Sequence, residues 1–294
     1  MTFNEGADIS GNRARRKGRT AAVAGGGVAG LGGIAVLIVA LLTGGSFDLG
    51  SLLGGGLGDG GGGTSTEGEA LVDCQTGADA NEDDACRLAG GQVALDEYWA
   101  DQVQGYREPG FVIVDGATSS PCGTASNQTG PFYCPGDETV YIDPTFFGLL
   151  RQQFGASGGD LAQLYVLAHE WGHHIQSITG IMQEYPNNGT GPDSNGVRTE
   201  LQADCFAGAW VGAMTELTDA NGTPYLKQPT QQQLADALNA AETVGDDHIQ
   251  AQSGMVNPES WTHGSSEQRQ RWFEAGYRQG LNACDTFAVS GGSL

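Results

Sequence analysis

Apolar residues fall into three regimes along this 294-residue chain. From Ala21 to Leu42 there is no charged residue and a high content of Val, Leu, Ile, Ala and Gly. A run of about 20 such residues matches the hydrocarbon thickness of a bilayer, so it predicts one transmembrane helix. Residues 43–69 are dominated by glycine, with Gly54 to Gly56 and Gly60 to Gly63 in unbroken runs. That composition cannot bury a core and predicts a flexible tether. Beyond residue 70 the pattern acquires the periods of folded elements. Val93 to Ala100 has helical spacing, while Phe111 to Val114 and Val140 to Ile142 read as short strands around a turn-rich loop at Pro121 to Pro135. Further helices are predicted from Asp160 to Gly180, Val197 to Leu217, Gln231 to Thr243 and Ser265 to Leu281. In the last of these, Ser265 and Gln268 fit a capping box. Strands first and helices afterwards imply an α+β domain over residues 70–294, mostly helical with a small sheet.

Charge refines the outer ends of this layout. Arg13, Arg15, Arg16, Lys17 and Arg19 cluster ahead of the apolar run, and the positive-inside rule assigns residues 1–20 to a cytoplasmic tail. The domain then lies outside the cell membrane on a single-pass anchor. A cleaved signal peptide fits less well, because its apolar region is shorter and ends in an A-x-A-like site. The whole chain carries a net charge of −22, and five of its thirteen Lys and Arg sit in the N-terminal cluster. So acidic a surface repels nucleic acid and anionic lipid. All six cysteines follow the apolar run, which agrees with an oxidising compartment and an even number of thiols to pair. Of 15 connectivities, proximity favours Cys74 with Cys86 and Cys122 with Cys134, leaving Cys205 with Cys284.

The chemistry concentrates in Leu167-Ala168-His169-Glu170-Trp171-Gly172-His173, which carries H-E-x-x-H on a helical stretch. At about 100° per residue, His169 and His173 share a face and can share one metal ion. Glu170 stands beside them as a general base, and His174 points elsewhere. A catalytic zinc needs a third protein ligand and an open position. Glu200 is the candidate, at the start of a second helix, and Asp204 on the same face is placed to accept the remaining N–H of a ligand histidine. His263 precedes a helix start and is a candidate for stabilising the oxyanion of a tetrahedral intermediate, with a structural hydrogen-bonding role as the alternative. Arg269 is a candidate for orienting His263 or pairing with an acid. Gly245-Asp246-Asp247-His248 reads as a helix-capping acidic turn, with calcium binding the less favoured reading.

Taken together, Pro131-Phe132-Tyr133-Cys134-Pro135, Val140-Tyr141-Ile142-Asp143, His169 to Gln176, Glu200-Leu201-Gln202-Ala203-Asp204-Cys205, Gly245-Asp246-Asp247 and His263 to Arg269 resemble the bacterial membrane-anchored neutral zinc metallopeptidase family. The resemblance spans about Leu88 to Tyr277. It implies a zincin-like domain with a gluzincin-like site: His169, His173 and Glu200 as ligands to one Zn2+, and Glu170 as base. The E-x-x-x-D order is also similar to that of thermolysin-type and CaaX-type zinc proteases, which motivates the roles given to His263 and Arg269. The expectation is a zinc-dependent peptidase acting on proteins or peptides through a metal-activated water. The rival expectations are a non-catalytic, zinc-stabilised cell-surface binding module and a hydrolase for other amides.

Overall fold

A computed structural model describes residues 2–18, 68–252 and 254–294. The expected span at 21–42 and nearly all of the tether lie outside them. In chain order the elements are β1 Arg15–Gly18, β2 Glu69–Ala70, α1 Gly77–Glu82, α2 Asp84–Gln102, β3 Gly110–Asp115, β4 Ala117–Ser120, β5 Gly123–Ser126, β6 Phe132–Cys134 and β7 Thr139–Ile142. They continue with α3 Phe146–Phe154, α4 Asp160–Ile178, α5 Ile181–Glu184, α6 Asn195–Ala213, α7 Gln231–Thr243, α8 Asp246–Ala251 and α9 Ser266–Gln279. The architecture is α+β, with helices outweighing one small sheet. The fold class needs one correction: no helix among the described residues is long and apolar enough to cross a membrane, so a spanning helix is not supported.

The sheet runs in the order β2-β1-β3-β7-β6. β3 pairs in parallel with both β1 and β7, while β2 and β6 close the two edges antiparallel. Phe111 to Val114 are buried in succession because β3 is covered on both faces, which replaces the alternating pattern by an unbroken apolar run. One face packs against the helices. The other is covered by the β4–β5 hairpin over Val112, Val114 and Tyr141, and Cys122–Cys134 pins that hairpin to β6. Cys74–Cys86 and Cys205–Cys284 are the other two disulfides, so the connectivity follows proximity.

Helix α4 forms the axis of the domain. Every residue from Leu161 to Gln176 is buried, as expected of a helix enclosed on all sides, here by α2, α6, α7 and strands β6 and β7. It begins at Asp160, with Gly159 as its N-cap. Helix α6 lies against α4 on one side and α9 on the other. The approach to α9 depends on missing side chains: a Cβ at Gly276 would lie 1.9 Å from the Cys205 carbonyl oxygen, and one at Gly208 2.0 Å from that of Phe273. The capping boxes of α7 at Thr230 and Gln233, and of α9 at Ser265 and Gln268, are both formed.

The largest departure from the sequence reading is at the N-terminus. A tail ending at residue 20 is not a structural unit, because residues 2–18 are built into the domain. Phe3, Ala7 and Ile9 have no exposed surface. Asn4 Nδ2 donates to the Pro224 carbonyl at 2.7 Å, the Ile9 N–H to the Gln75 carbonyl at 2.9 Å and the Arg13 N–H to Gln92 Oε1 at 2.8 Å. β1 then enters the sheet between β2 and β3. Its sequence, Arg15-Arg16-Lys17-Gly18, has no hydrophobic period to announce a strand, since it is held through backbone pairing. Burying Phe3 and Ile9 contributes about 1.5–3 kcal/mol each, a sizeable share of a stability of about 5–15 kcal/mol. Phe3→Ala should therefore destabilise the full-length chain by about 3–5 kcal/mol in urea unfolding; a loss below about 0.5 kcal/mol would show that residues 2–18 do not pack there.

Candidate metal centre

Two facing helices assemble the site. His169, Glu170 and His173 come from α4, and Glu200 and Asp204 from the first half of α6. The helices can approach at this level because Gly172 lies opposite Ala203, where a Cβ would already be 3.1 Å from the Ala203 Cα. Glu200 thereby reaches both imidazoles: Oε2 is 3.2 Å from His169 Nε2 and Oε1 is 3.5 Å from His173 Nε2. One ligand atom from each of the three lies within 4.8 Å of the others. His169 and Glu170 are 0 % exposed, His173 1 % and Glu200 4 %.

Each histidine is oriented from behind. His169 Nδ1 lies 2.8 Å from Asp204 Oδ1, so an Nδ1–H donated to that carboxylate turns the Nε2 lone pair toward Glu200. His173 Nδ1 is 2.9 Å from Gln176 Oε1, and Gln176 is itself fixed by donating to the Thr199 carbonyl and to Gln202. His173 Nε2 is then buried without a hydrogen-bond partner. Glu170 is arranged in the same way: Oε2 accepts the Tyr133 N–H at 2.9 Å, while Oε1 is buried and unpartnered. With both imidazoles neutral, two lone pairs and a carboxylate aimed at one point repel one another unless a cation lies between them. The residues therefore fit a divalent ion, and two nitrogens with one oxygen suit zinc.

Electrostatics tell the same story. Burial alone would lower the pKa of His169, but the charge of Asp204 and the hydrogen bonds to Asp204 and Glu200 outweigh it and lift it to about 9. Burial would raise Glu200, yet the charges of His173 and His263 and the bond from His169 hold it well below the usual carboxylate range. Asp204 falls to about 2, because Arg269 and His169 overcome its desolvation. Glu170 goes the other way: burial raises it, against the opposing charges of His173 and His169.

Arg269 is placed differently from a group that meets substrate. It is fully buried and grips Asp204 with two bonds, Nε to Oδ2 at 2.8 Å and Nη2 to Oδ1 at 2.9 Å. It thus takes the acid-pairing option and acts on His169 through Asp204. Tyr165 adds a hydroxyl donated to Asp204 at 2.6 Å. His263 is buried beside the ligands, close enough for its charge to depress Glu200. Its loop hangs on Asp246, whose Oδ2 accepts the N–H groups of Thr262, His263 and Gly264 at 2.7, 2.7 and 3.0 Å. Asp246 Oδ1 lies 3.4 Å from His263 Nδ1, and Asp247 caps α9 through Ser266. His174 turns away to Tyr133 and the Arg107 carbonyl.

Sequence reasoning placed Asp246, Tyr133 and Gln176 in motifs of the resemblance but gave them no role at the centre, and it missed Tyr165. Gln176 was within reach, since it follows His173 by three residues on the same helical face. Tyr165 lies one turn before His169 on the same helix, while Asp246 and Tyr133 reach the site from distant segments.

A family model described as "Putative neutral zinc metallopeptidase" matches residues 3–287. The chain is 47% identical over 223 residues to uncharacterized protein Rv2575 of Mycobacterium tuberculosis, covering 75% of this chain and 76% of that protein. It is 42% identical over 222 residues to uncharacterized protein YpfJ of Escherichia coli K12, covering 71% of this chain and 74% of that protein. No solved structure matches.

The raised His169 gives a pH prediction for the metal-free protein. A pKa of about 9 in the folded chain, against 6.5 when unfolded, means that this proton stabilises the fold fully below pH 6.5 and is lost as pH rises through about 9. Zinc must displace it. Calorimetry in buffers of different ionisation enthalpy should therefore register about one proton released per ion at pH 7, with affinity rising about tenfold per pH unit up to pH 9. Asp204→Asn should abolish that release and weaken zinc binding about 10–100-fold; an unchanged affinity and proton count would remove Asp204 from the centre.

Proposed function

Because this chain belongs to the neutral zinc metallopeptidase family, we propose that it hydrolyses peptide bonds with one zinc ion held by His169, His173 and Glu200 and with Glu170 as general base. The observation that carries this reading is the buried, unpartnered Oε1 of Glu170 beside three converging ligand atoms. A purely structural zinc site is closed by four protein ligands and has no use for a carboxylate kept dry and half-satisfied at its rim.

When bound, zinc supplies Lewis acidity, polarising the scissile carbonyl and lowering the pKa of a water in its open position to about 7. The chain's own residues do the remaining work. The Tyr133 N–H fixes Oε2 of Glu170, so the proton of the attacking water has one place to go, Oε1. Burial raises the proton affinity of Glu170, which suits a group that must take a proton and later return it to the leaving amine. His263, held by Asp246, presents its ring beside Glu200 and donates a hydrogen bond to the negative charge developing on the carbonyl oxygen. Arg269 keeps Asp204 ionised, and Asp204 keeps His169 in the tautomer whose Nε2 is free to ligate.

The decisive comparison is between two variants. Glu170→Gln should keep one equivalent of zinc and lose hydrolysis of a casein-type protein or a peptide library by about 10²-fold or more, whereas His169→Ala should lose both metal and activity. Zinc retained by the parent protein with no turnover on either substrate would favour a binding module, and an active Glu170→Gln would remove the base. A milder change tests the loop: Asp246→Asn should keep the zinc and lower kcat about tenfold with little change in KM, and equal activity would separate His263 from the reaction.

A further inference from the structure

The body of the domain is shaped to receive residues 2–18. A Cβ at Gly77 would lie 1.8 Å from the Asn4 carbonyl oxygen, and one at Gly90 would lie 2.9 Å from the Phe3 ring. Asn81 Oδ1 accepts the N–H groups of both Thr2 and Phe3 at 3.0 Å, Asp219 Oδ2 accepts the Asp8 N–H at 2.9 Å, and the Lys227 N–H donates to the Thr2 carbonyl at 2.8 Å. These partners come from α1, from the loop after α6 and from the approach to α7, so the segment is held from several sides. β1 also joins β2 to the rest of the sheet.

The register Arg15↔Ala70 and Arg16↔Glu69 places the two ends of residues 19–67 on neighbouring antiparallel strands, about 5 Å apart. A single crossing of a bilayer between Gly18 and Gly68 would put β1 on one side and its partners β2 and β3 on the other. We infer that residues 2–18 and 68–294 are two pieces of one domain in one compartment, with Gly18 and Gly68 side by side at one sheet edge. That edge is also the far one from the metal centre: β6, whose Tyr133 holds Glu170, stands three strand spacings from β1, about 14 Å.

Two measurements, one on the full chain and one on its two pieces, test this without any peptidase assay, so failure here is separate from failure of the proposed activity. With epitope tags at both ends in a bacterial host, protease added to spheroplasts should remove both tags or neither; removal of one alone overturns the inference. In the second, the fragment 68–294 should lack the cooperative thermal transition of the full chain and regain it when a synthetic peptide of residues 1–18 is added. A fragment that melts like the full chain and ignores the peptide would equally overturn it.

Discussion

The candidate metal centre depends on one buried ion pair. Asp204 and Arg269 are both without solvent exposure, a burial that would cost several kcal/mol per ion if either stood alone. Their two parallel bonds, together with the Tyr165 hydroxyl, leave neither charge uncompensated. An ionised Asp204 in turn dictates which nitrogen of His169 carries its proton. The same pair ties three elements together, since Asp204 is on α6, His169 and Tyr165 on α4, and Arg269 on α9. Loss of one partner would strand a buried charge at the point where all three helices meet, so the pair serves packing and ligation at once.

Around that pair, the polar side chains are committed at one end. His173 commits Nδ1 and frees Nε2, Glu170 commits Oε2 and frees Oε1, and His169 commits Nδ1 to Asp204 and turns Nε2 to Glu200. A core arranged only for stability would satisfy both ends, because an unpaired buried polar atom costs about 1–3 kcal/mol. Here two of the unsatisfied atoms, Glu170 Oε1 and His173 Nε2, come from the one H-E-x-x-H turn of α4. Strain in hydrogen bonding of this kind is retained where an ion or a reactant completes the set. The close passage of Gly172 against Ala203 sets how near α6 comes to that turn.

The candidate ligands could be picked out in the sequence because helical periodicity translates spacing directly into direction. His169 and His173, four apart, had to share a face, and so did Glu200 and Asp204, also four apart. That the two faces meet follows from apolar residues flanking both motifs on otherwise buried helices. What the sequence concealed were the long-range partners. Arg269 could be listed among helix residues of α9, but only the packing of Gly208 and Gly276 at the α6–α9 contact brings its guanidinium to Asp204. Asp246 looked like an ordinary cap, and its three accepted N–H groups lie some seventeen residues away in the chain. Backbone donors such as Tyr133 N–H carry no side-chain signature at all.

The N-terminus shows why two signals in one stretch can point in opposite directions. A basic cluster beside an uncharged apolar run matches a topogenic pattern, and charge dominates that reading. Phe3, Ala7, Ile9 and Ala14 form a sparser signal in the same residues, yet each is buried, and it is burial that makes a segment part of a fold. The arginines of β1 do not oppose this, because a strand held by backbone pairing can keep charged side chains in water. The connection even extends to the metal helix: the Thr2 hydroxyl donates to Asp160, the first residue of α4, and Arg87 reaches the other oxygen of the same carboxylate at 3.3 Å. A negative charge fixed there complements the helix dipole, so the first residues of the chain help set the register of the helix that carries His169 and His173.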